Sequence, residues 1–132
     1  MRRSSSFRYA IIESRVAELL DMEHGGITPW GIHVDVNPFY EQGNPSLEDI
    51  AFAIGVEREP LSEYVHQYLQ TSVVSWSSEM RLRHCAEQIK NTDKQVKEIA
   101  LTCGYNDLAT FSRAFKRLYG VSPSEYRKAE DT

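Results

Sequence analysis

Residues 104–117 read GYNDLATFSRAFKR, and the reading of this stretch decides the fold. Gly104 marks a tight turn, and Asn106 and Asp107 stand where a helix start needs a capping side chain. Apolar residues then recur at helical spacing. Projected at about 100° per residue, residues 108–119 put Phe111, Phe115 and Leu118 on an inner face. Ala109, Thr110, Ser112, Arg113, Lys116 and Arg117 collect on the other side, with three cations and no acid among them. Cations suit phosphate oxygens, Arg also suits the O6/N7 edge of guanine, and Ser or Thr suits bases. An ordinary solvated basic face gives the same pattern, so the helix needs its context.

The context is an internal repeat. Val96, Ile99, Ala100 and Gly104 restate Leu47, Ile50, Ala51 and Gly55 about 49 residues later. Leu61, Val65 and Tyr68 match Phe111, Phe115 and Leu118 at 50, and Ser72 and Trp76 match Ser122 and Tyr126 at 50. The one-residue change of offset falls in the turn, where an insertion costs little. Each unit is therefore a short helix, a glycine turn and a longer helix, the anatomy of a helix-turn-helix.

Local signals support both copies. Ser46-Leu47-Glu48-Asp49 is a capping box, and Ser122-Pro123-Ser124-Glu125 is a second, with Pro123 at the first helical position. Between the units, residues 79–91 predict a helix with Leu82, Cys85, Ala86 and Ile89 on one face. Ahead of them, Phe7, Ile11, Ile12, Val16, Leu19 and Leu20 predict a helix over roughly 6–22, ended by His24-Gly25-Gly26. Residues 24–45 hold four of the seven glycines and three of the five prolines, so they form a connector. Trp30, Phe39 and Tyr40 imply that it packs on something. Alternation is visible only around Ile32–Val36, where Pro29, Gly31 and Pro38 argue for irregular structure. The expected fold is all-α: two helix-turn-helix subdomains joined by a long central helix, with an extra N-terminal helix.

Charge locates the interesting half. The whole chain carries −4, but residues 1–80 hold five cations against twelve acids, a net of −7. Residues 81–128 hold ten cations against five acids, a net of +5. Such asymmetry points to a nucleic-acid partner for the C-terminal third. The first copy has a different face: Glu63, His66 and Gln67 stand where Arg113, Lys116 and Arg117 stand in the second, flanked by Glu59 and Ser62. Carboxylates facing a polyanion repel it, although Glu can accept from cytosine N4.

Other classes find no support. His24, His33, His66 and His84 have no ligand spacing, so no metal or cofactor is expected, and no nucleophile or phosphate-loop motif argues for an enzyme. No run of about 18 apolar residues spans a membrane. The basic start Met1-Arg2-Arg3 is followed by no secretory apolar region, which gives a cytoplasmic reading. Cys85 and Cys103 face inward and are expected as buried free thiols.

The run Arg81, Ala86, Val96-Lys97-Glu98-Ile99-Ala100, Cys103-Gly104-Tyr105-Asn106-Asp107, Phe111-Ser112-Arg113-Ala114-Phe115-Lys116-Arg117, Gly120-Val121-Ser122-Pro123 and Tyr126-Arg127 resembles the AraC/XylS family of transcription regulators. The resemblance implies a DNA-binding domain over 46–128, behind an N-terminal helix and linker (1–45) and ahead of a short tail (129–132). It implies seven helices, with each unit's second helix entering successive major-groove segments about 34 Å apart. Base contacts carry over to Ala109, Thr110, Ser112 and Arg113, with Lys116 toward phosphate, and to Arg58, Glu59, Ser62 and Glu63. With the cap and face residues, the candidate set also takes in Asn106, Arg117 and His66.

Three departures concern the first unit: Glu57 in place of a small polar cap, Glu63 in place of a cation or amide, and Gln70 in place of a glycine. The partner implied is double-stranded DNA, with RNA polymerase a candidate second partner and the chain a monomer or weak dimer. The family's separate effector domain does not fit in the 45 residues ahead of the repeat. The chain thus reads as a fragment or as a short, unliganded regulator. The rival expectation is a protein-interaction module that keeps the fold while its DNA face has decayed.

Overall fold

The computed structural model describes residues 7–40 and 45–130, with Glu130 described by its backbone alone. The basic start at 1–6, residues 41–44 and the end of the tail at 131–132 lie outside them. The chain divides into two compact units, Met1–Ser78 and Glu79–Thr132.

In the first unit, helix α1 (Ala10–Leu20) buries Ile12, Val16, Leu19 and Leu20, with Tyr9 just ahead of it. Phe7 and Ile11, expected on that face, are 90% and 52% exposed. The covered stripe starts at Tyr9 rather than Phe7, so its three-and-four spacing rotates the other two toward solvent. The connector closes the end of α1 through its side chains. Asn37, itself buried, donates to the Leu19 and Met22 carbonyls at 2.7 and 2.9 Å, and the Tyr40 hydroxyl donates to Leu20 O at 2.6 Å. Leu19 O and Met22 O also accept turn bonds from Met22 N and Gly25 N at 2.9 and 3.1 Å, so the connector adds further donors where the helix ends.

Residues 32–36 are not wholly irregular. Strands β1 (Gly26–Ile27) and β2 (His33–Val34) pair antiparallel around a turn in which the Thr28 hydroxyl accepts from Ile32 N at 2.8 Å. The buried Thr28 supplies the turn bond that the glycine and proline content obscured.

Helix α2 (Leu47–Ile54) starts at Ser46, whose hydroxyl accepts from Asp49 N at 3.0 Å, and stops at left-handed Gly55. Its last carbonyls are met from the N-terminal region: Trp30 Nε1 donates to Ala53 O at 2.8 Å and Arg15 to Ile54 O at 2.9 Å. Helix α3 (Arg58–Ser62) follows and continues as a π-helical stretch, Glu63–Tyr68. The repeat predicts a longer α-helix here, the counterpart of 108–119. Instead Leu69 N bonds to Tyr64 O, five residues back, and Tyr64 stacks on Tyr68 with centroids 5.8 Å apart. Tyr9 packs on both rings at 5.1 Å, so the wider turn sits over an aromatic cluster that includes Trp76 and Phe39.

Helix α4 (Val73–Asn91) begins six residues before the expected 79 and runs from the first unit into the second. The Ser72 hydroxyl accepts from Ser75 N at its start. Helices α5 (Val96–Thr102), α6 (Leu108–Tyr119) and α7 (Pro123–Glu130) complete the second unit. Helices α2 and α5 begin 49 residues apart, and α3 and α6, like α4 and α7, begin 50 apart, so the repeat is structural. Leu82, Cys85, Ala86 and Ile89 are all buried. The cysteines are not free thiols: Cys85 on α4 and Cys103 at the end of α5 form a disulfide, their Cα atoms 6.4 Å apart. Both side chains face the same interior from opposed helices, within bridging reach; inwardness alone does not reveal a pairing. Among the described residues the two-residue ladder is the only strand pairing, and the rest of the regular structure is helical.

Candidate nucleic-acid interface

In the second unit the candidate residues are set out by α6. Asp107 takes extended backbone geometry, and its carboxylate accepts from Thr110 N at 2.7 Å. That bond, then the Thr110 hydroxyl, and further the Arg113 charge hold the Asp107 carboxyl below the ordinary range. Of the two cap candidates, Asp107 is the one that caps. Asn106 stands exposed beside it.

Phe111 and Phe115 anchor the helix with no exposure, their own rings 5.7 Å apart, and join Tyr105, Tyr119 and Tyr126 at centroid distances of 4.7–5.3 Å. Leu118, expected inside with them, is 39% exposed because it sits at the helix end, just before Gly120 turns the chain. Ala109, Thr110, Arg113, Lys116 and Arg117 are exposed, and Ser112 is half-buried. Among the described residues no ion pair engages Arg113, Lys116 or Arg117. The cations are available to an external anion.

The motif residues that follow α6 act on its neighbouring helices. Ser122 and Glu125 complete a reciprocal box, with Glu125 N donating to Ser122 Oγ at 3.1 Å and Ser122 N to the Glu125 carboxylate at 2.9 Å. Arg127, part of the same sequence motif, donates to the Ile89 and Thr92 carbonyls at 2.9 and 3.0 Å. Its guanidinium closes the end of α4 and is spent on the fold.

The first unit brings its candidates to one side as well, but engages them. Arg58 pairs with Glu48 at 2.6 Å and approaches Glu59 at 3.9 Å. The hydrogen bond from Arg58 is the main cause that lowers the Glu48 carboxyl. Ser62 Oγ lies 3.1 Å from His66 Nδ1, one turn along. Glu63 accepts from Arg8 Nη2 at 2.6 Å. Sequence reading did not single out Arg8 as a site residue; it is 55 positions from Glu63, and no local pattern signals so distant a pair. Glu57 makes no side-chain cap, and Gln70 takes a left-handed φ of 57° where Gly120 takes 83°.

Comparison with known proteins places this geometry. A family model described as a helix-turn-helix domain matches residues 46–129. The raffinose operon transcriptional regulatory protein RafR of Pediococcus pentosaceus is 32% identical over 84 residues, covering 64% of this chain and 30% of that protein. The transcriptional activator RhaS of Mannheimia succiniciproducens is 30% identical over 80 residues, covering 61% of this chain and 30% of that protein. The chain thus matches under a third of the length of each. Among solved structures, the C-terminal domain of AraT, a response regulator from Geobacillus stearothermophilus, aligns with a TM-score of 0.56 at 26% identity, over 90% of this chain and 84% of that one. An AraC-type regulator from Chromobacterium violaceum shares the fold, with a TM-score of 0.61 at 24% identity over 92% of this chain and 96% of that one. The DNA-binding domain of AdpA, solved in complex with a target DNA, also shares the fold, with a TM-score of 0.56 at 21% identity over 89% of both chains.

Proposed function

The chain belongs to the AraC/XylS family of helix-turn-helix proteins, and from that premise we propose that it is a sequence-specific duplex-DNA-binding transcription regulator reading the major groove mainly through α6. The observation that carries the reading is the unpaired cationic face of α6. Arg113, Lys116 and Arg117 stand exposed on a capped helix whose opposite face is locked by Phe111 and Phe115. A rigid helix with small residues near its start can approach base edges, while its cations take phosphates. In this reading Ala109, Thr110, Ser112 and Arg113 meet bases, Lys116 and Arg117 meet the backbone, and Asn106 flanks the entry. The first unit contributes through Arg58, Glu59, Ser62, Glu63 and His66, more weakly because its cations are paired.

A salt titration of binding to duplex DNA tests the proposal. Contact with several phosphates makes affinity fall on the order of 10²-fold or more over a few-fold rise in salt. Flat, negligible binding at low salt would overturn it in favour of a protein-interaction module. Selection from a random duplex pool then shows whether one half-site or two are read.

A further inference from the structure

The first unit's recognition surface is completed from outside the repeat. Arg8 lies ahead of α1, well upstream of the matched helix-turn-helix domain at 46–129. Its guanidinium nonetheless reaches Glu63 at 2.6 Å, and together with Glu59, Pro60, Ser62, Glu63 and Gln67 it lines an open cleft of about 350 Å³. Four of those neighbours belong to the face that answers to the cationic face of α6. Arg58, the other cation at this surface, is held by Glu48. Arg8 is held by one nitrogen and its side chain stays 65% exposed, which leaves donors on a planar five-donor group for a second partner. Tyr9, buried against Tyr64 and Tyr68, anchors the residue next to it, and the Arg8 guanidinium lies 5.2 Å from the Tyr9 ring centre. The cation is therefore positioned by the core rather than carried on a loose arm.

We infer that Arg8 is a DNA-backbone contact of the first unit: it offsets the Glu63 carboxylate and offers its remaining donors to a phosphate at this cleft. The inference rests on the proposed DNA binding. It explains how an acidic recognition element can approach a polyanion. The ion pair removes most of the repulsion from Glu63, and the free edge of the guanidinium supplies attraction.

The test compares the full chain with Arg8→Ala, Glu63→Ala and the double variant, titrating a mixed-sequence duplex at several salt concentrations. Arg8→Ala is expected to weaken binding on the order of threefold to tenfold and to reduce the salt slope by about 1. The loss should persist in the Glu63→Ala background, and Arg8→Lys should restore part of it. Unchanged or tighter binding by Arg8→Ala overturns the inference, the tighter result marking Arg8 as a shield over the recognition helix. A loss confined to the Glu63 background also overturns it, reducing Arg8 to a neutraliser of Glu63. Salt-dependent binding by the parent chain in these cases leaves the function standing, whereas no binding by the parent removes both. Circular dichroism verifies that each variant keeps the parent helicity.

Discussion

The second helices of the two repeat copies share one plan inside and differ in charge, capping and helix type outside. Helix α6 is twelve residues of regular α-helix, capped by Asp107 and ended by Gly120. Its counterpart is five residues of α3 and six of π-helix, with no cap from Glu57 and with Gln70 in the left-handed position. Inside, the copies agree: Leu61 and Val65 are as fully buried as Phe111 and Phe115. The interior positions preserve the unit, and the surface positions are free to set its charge. A net negative chain can thus hold one helix with an unpaired cationic face and a counterpart whose face stays acidic. The N-terminal region belongs to this contrast, since Arg15, Trp30 and Arg8 all bond to the first repeat copy.

The sharpest way to break the comparison is to exchange charge. Arg113→Glu with Lys116→Glu is expected to abolish DNA binding, a loss beyond 10²-fold, because several phosphate contacts vanish and repulsion replaces them. Far-ultraviolet dichroism should stay unchanged, since both side chains are exposed. Retained affinity would remove α6 from the interface. The converse change, Glu63→Arg, should tighten non-specific binding a few-fold. Weaker binding would mean that Glu63 makes a useful base contact.

Stability separates the units next. Only the second holds cysteines, and the Cys85–Cys103 link closes a loop of 18 residues. Reduction, or Cys85→Ala with Cys103→Ala, should cost about 2–3 kcal/mol in that unit. Both tryptophans, Trp30 and Trp76, lie in the first unit, so indole fluorescence follows it alone. Reductant should lower the melting transition seen by overall helicity while leaving the tryptophan transition in place. Coincident, unmoved transitions would show that the link contributes nothing.

What was legible in the sequence follows the reach of each interaction. Caps act over three residues, so Ser46, Asp107 and the Ser122–Glu125 box could be read directly. The repeat gave the helices and the exposed faces that carry the candidate site, because buried apolar spacing is a local pattern. Contacts set by tertiary placement were not legible. The Arg8–Glu63 pair, the disulfide and the packing of Tyr9 on Tyr64 and Tyr68 each join elements distant in sequence. Helical projection finds a face but not its covering, which is why Phe7, Ile11 and Leu118 face solvent. Gln70 shows the benefit of the repeat, since alignment on Gly120 marks a left-handed position that its own residue type conceals.

That position gives a matched exchange. A left-handed conformation costs a side-chain-bearing residue roughly 1–2 kcal/mol, partly offset when glycine is introduced by its greater freedom in the unfolded chain. Gln70→Gly should therefore stabilise the first unit by about 0.5–1 kcal/mol. Gly120→Gln should destabilise the second by about 1 kcal/mol. A Cβ at Gly120 would meet nothing within 4 Å, so that cost is conformational and not steric. Chemical denaturation monitored by tryptophan and by helicity distinguishes the two. Equal and opposite shifts would support a common turn geometry, and a loss of stability in Gln70→Gly would show that the Gln70 side chain makes a compensating contact.

The smallest expected difference is one of acid sensitivity. The cap of α2 is a serine, which does not titrate, whereas the cap of α6 is Asp107. The hydrogen bond from Thr110 N is the first cause that keeps the Asp107 carboxyl below its ordinary range. A group with a depressed folded pKa adds stability that is fully present above its unfolded value, about 3.9. That stability is lost as pH falls through the folded value. The α6 cap should therefore weaken below about pH 4. Asp107→Asn keeps a side-chain acceptor at the cap but carries no titrating charge. The melting temperature of the parent should consequently fall more steeply than that of Asp107→Asn between neutral pH and pH 3 or below. Parallel pH profiles would assign the cap to hydrogen bonding alone and leave the charge of Asp107 without a part in holding α6.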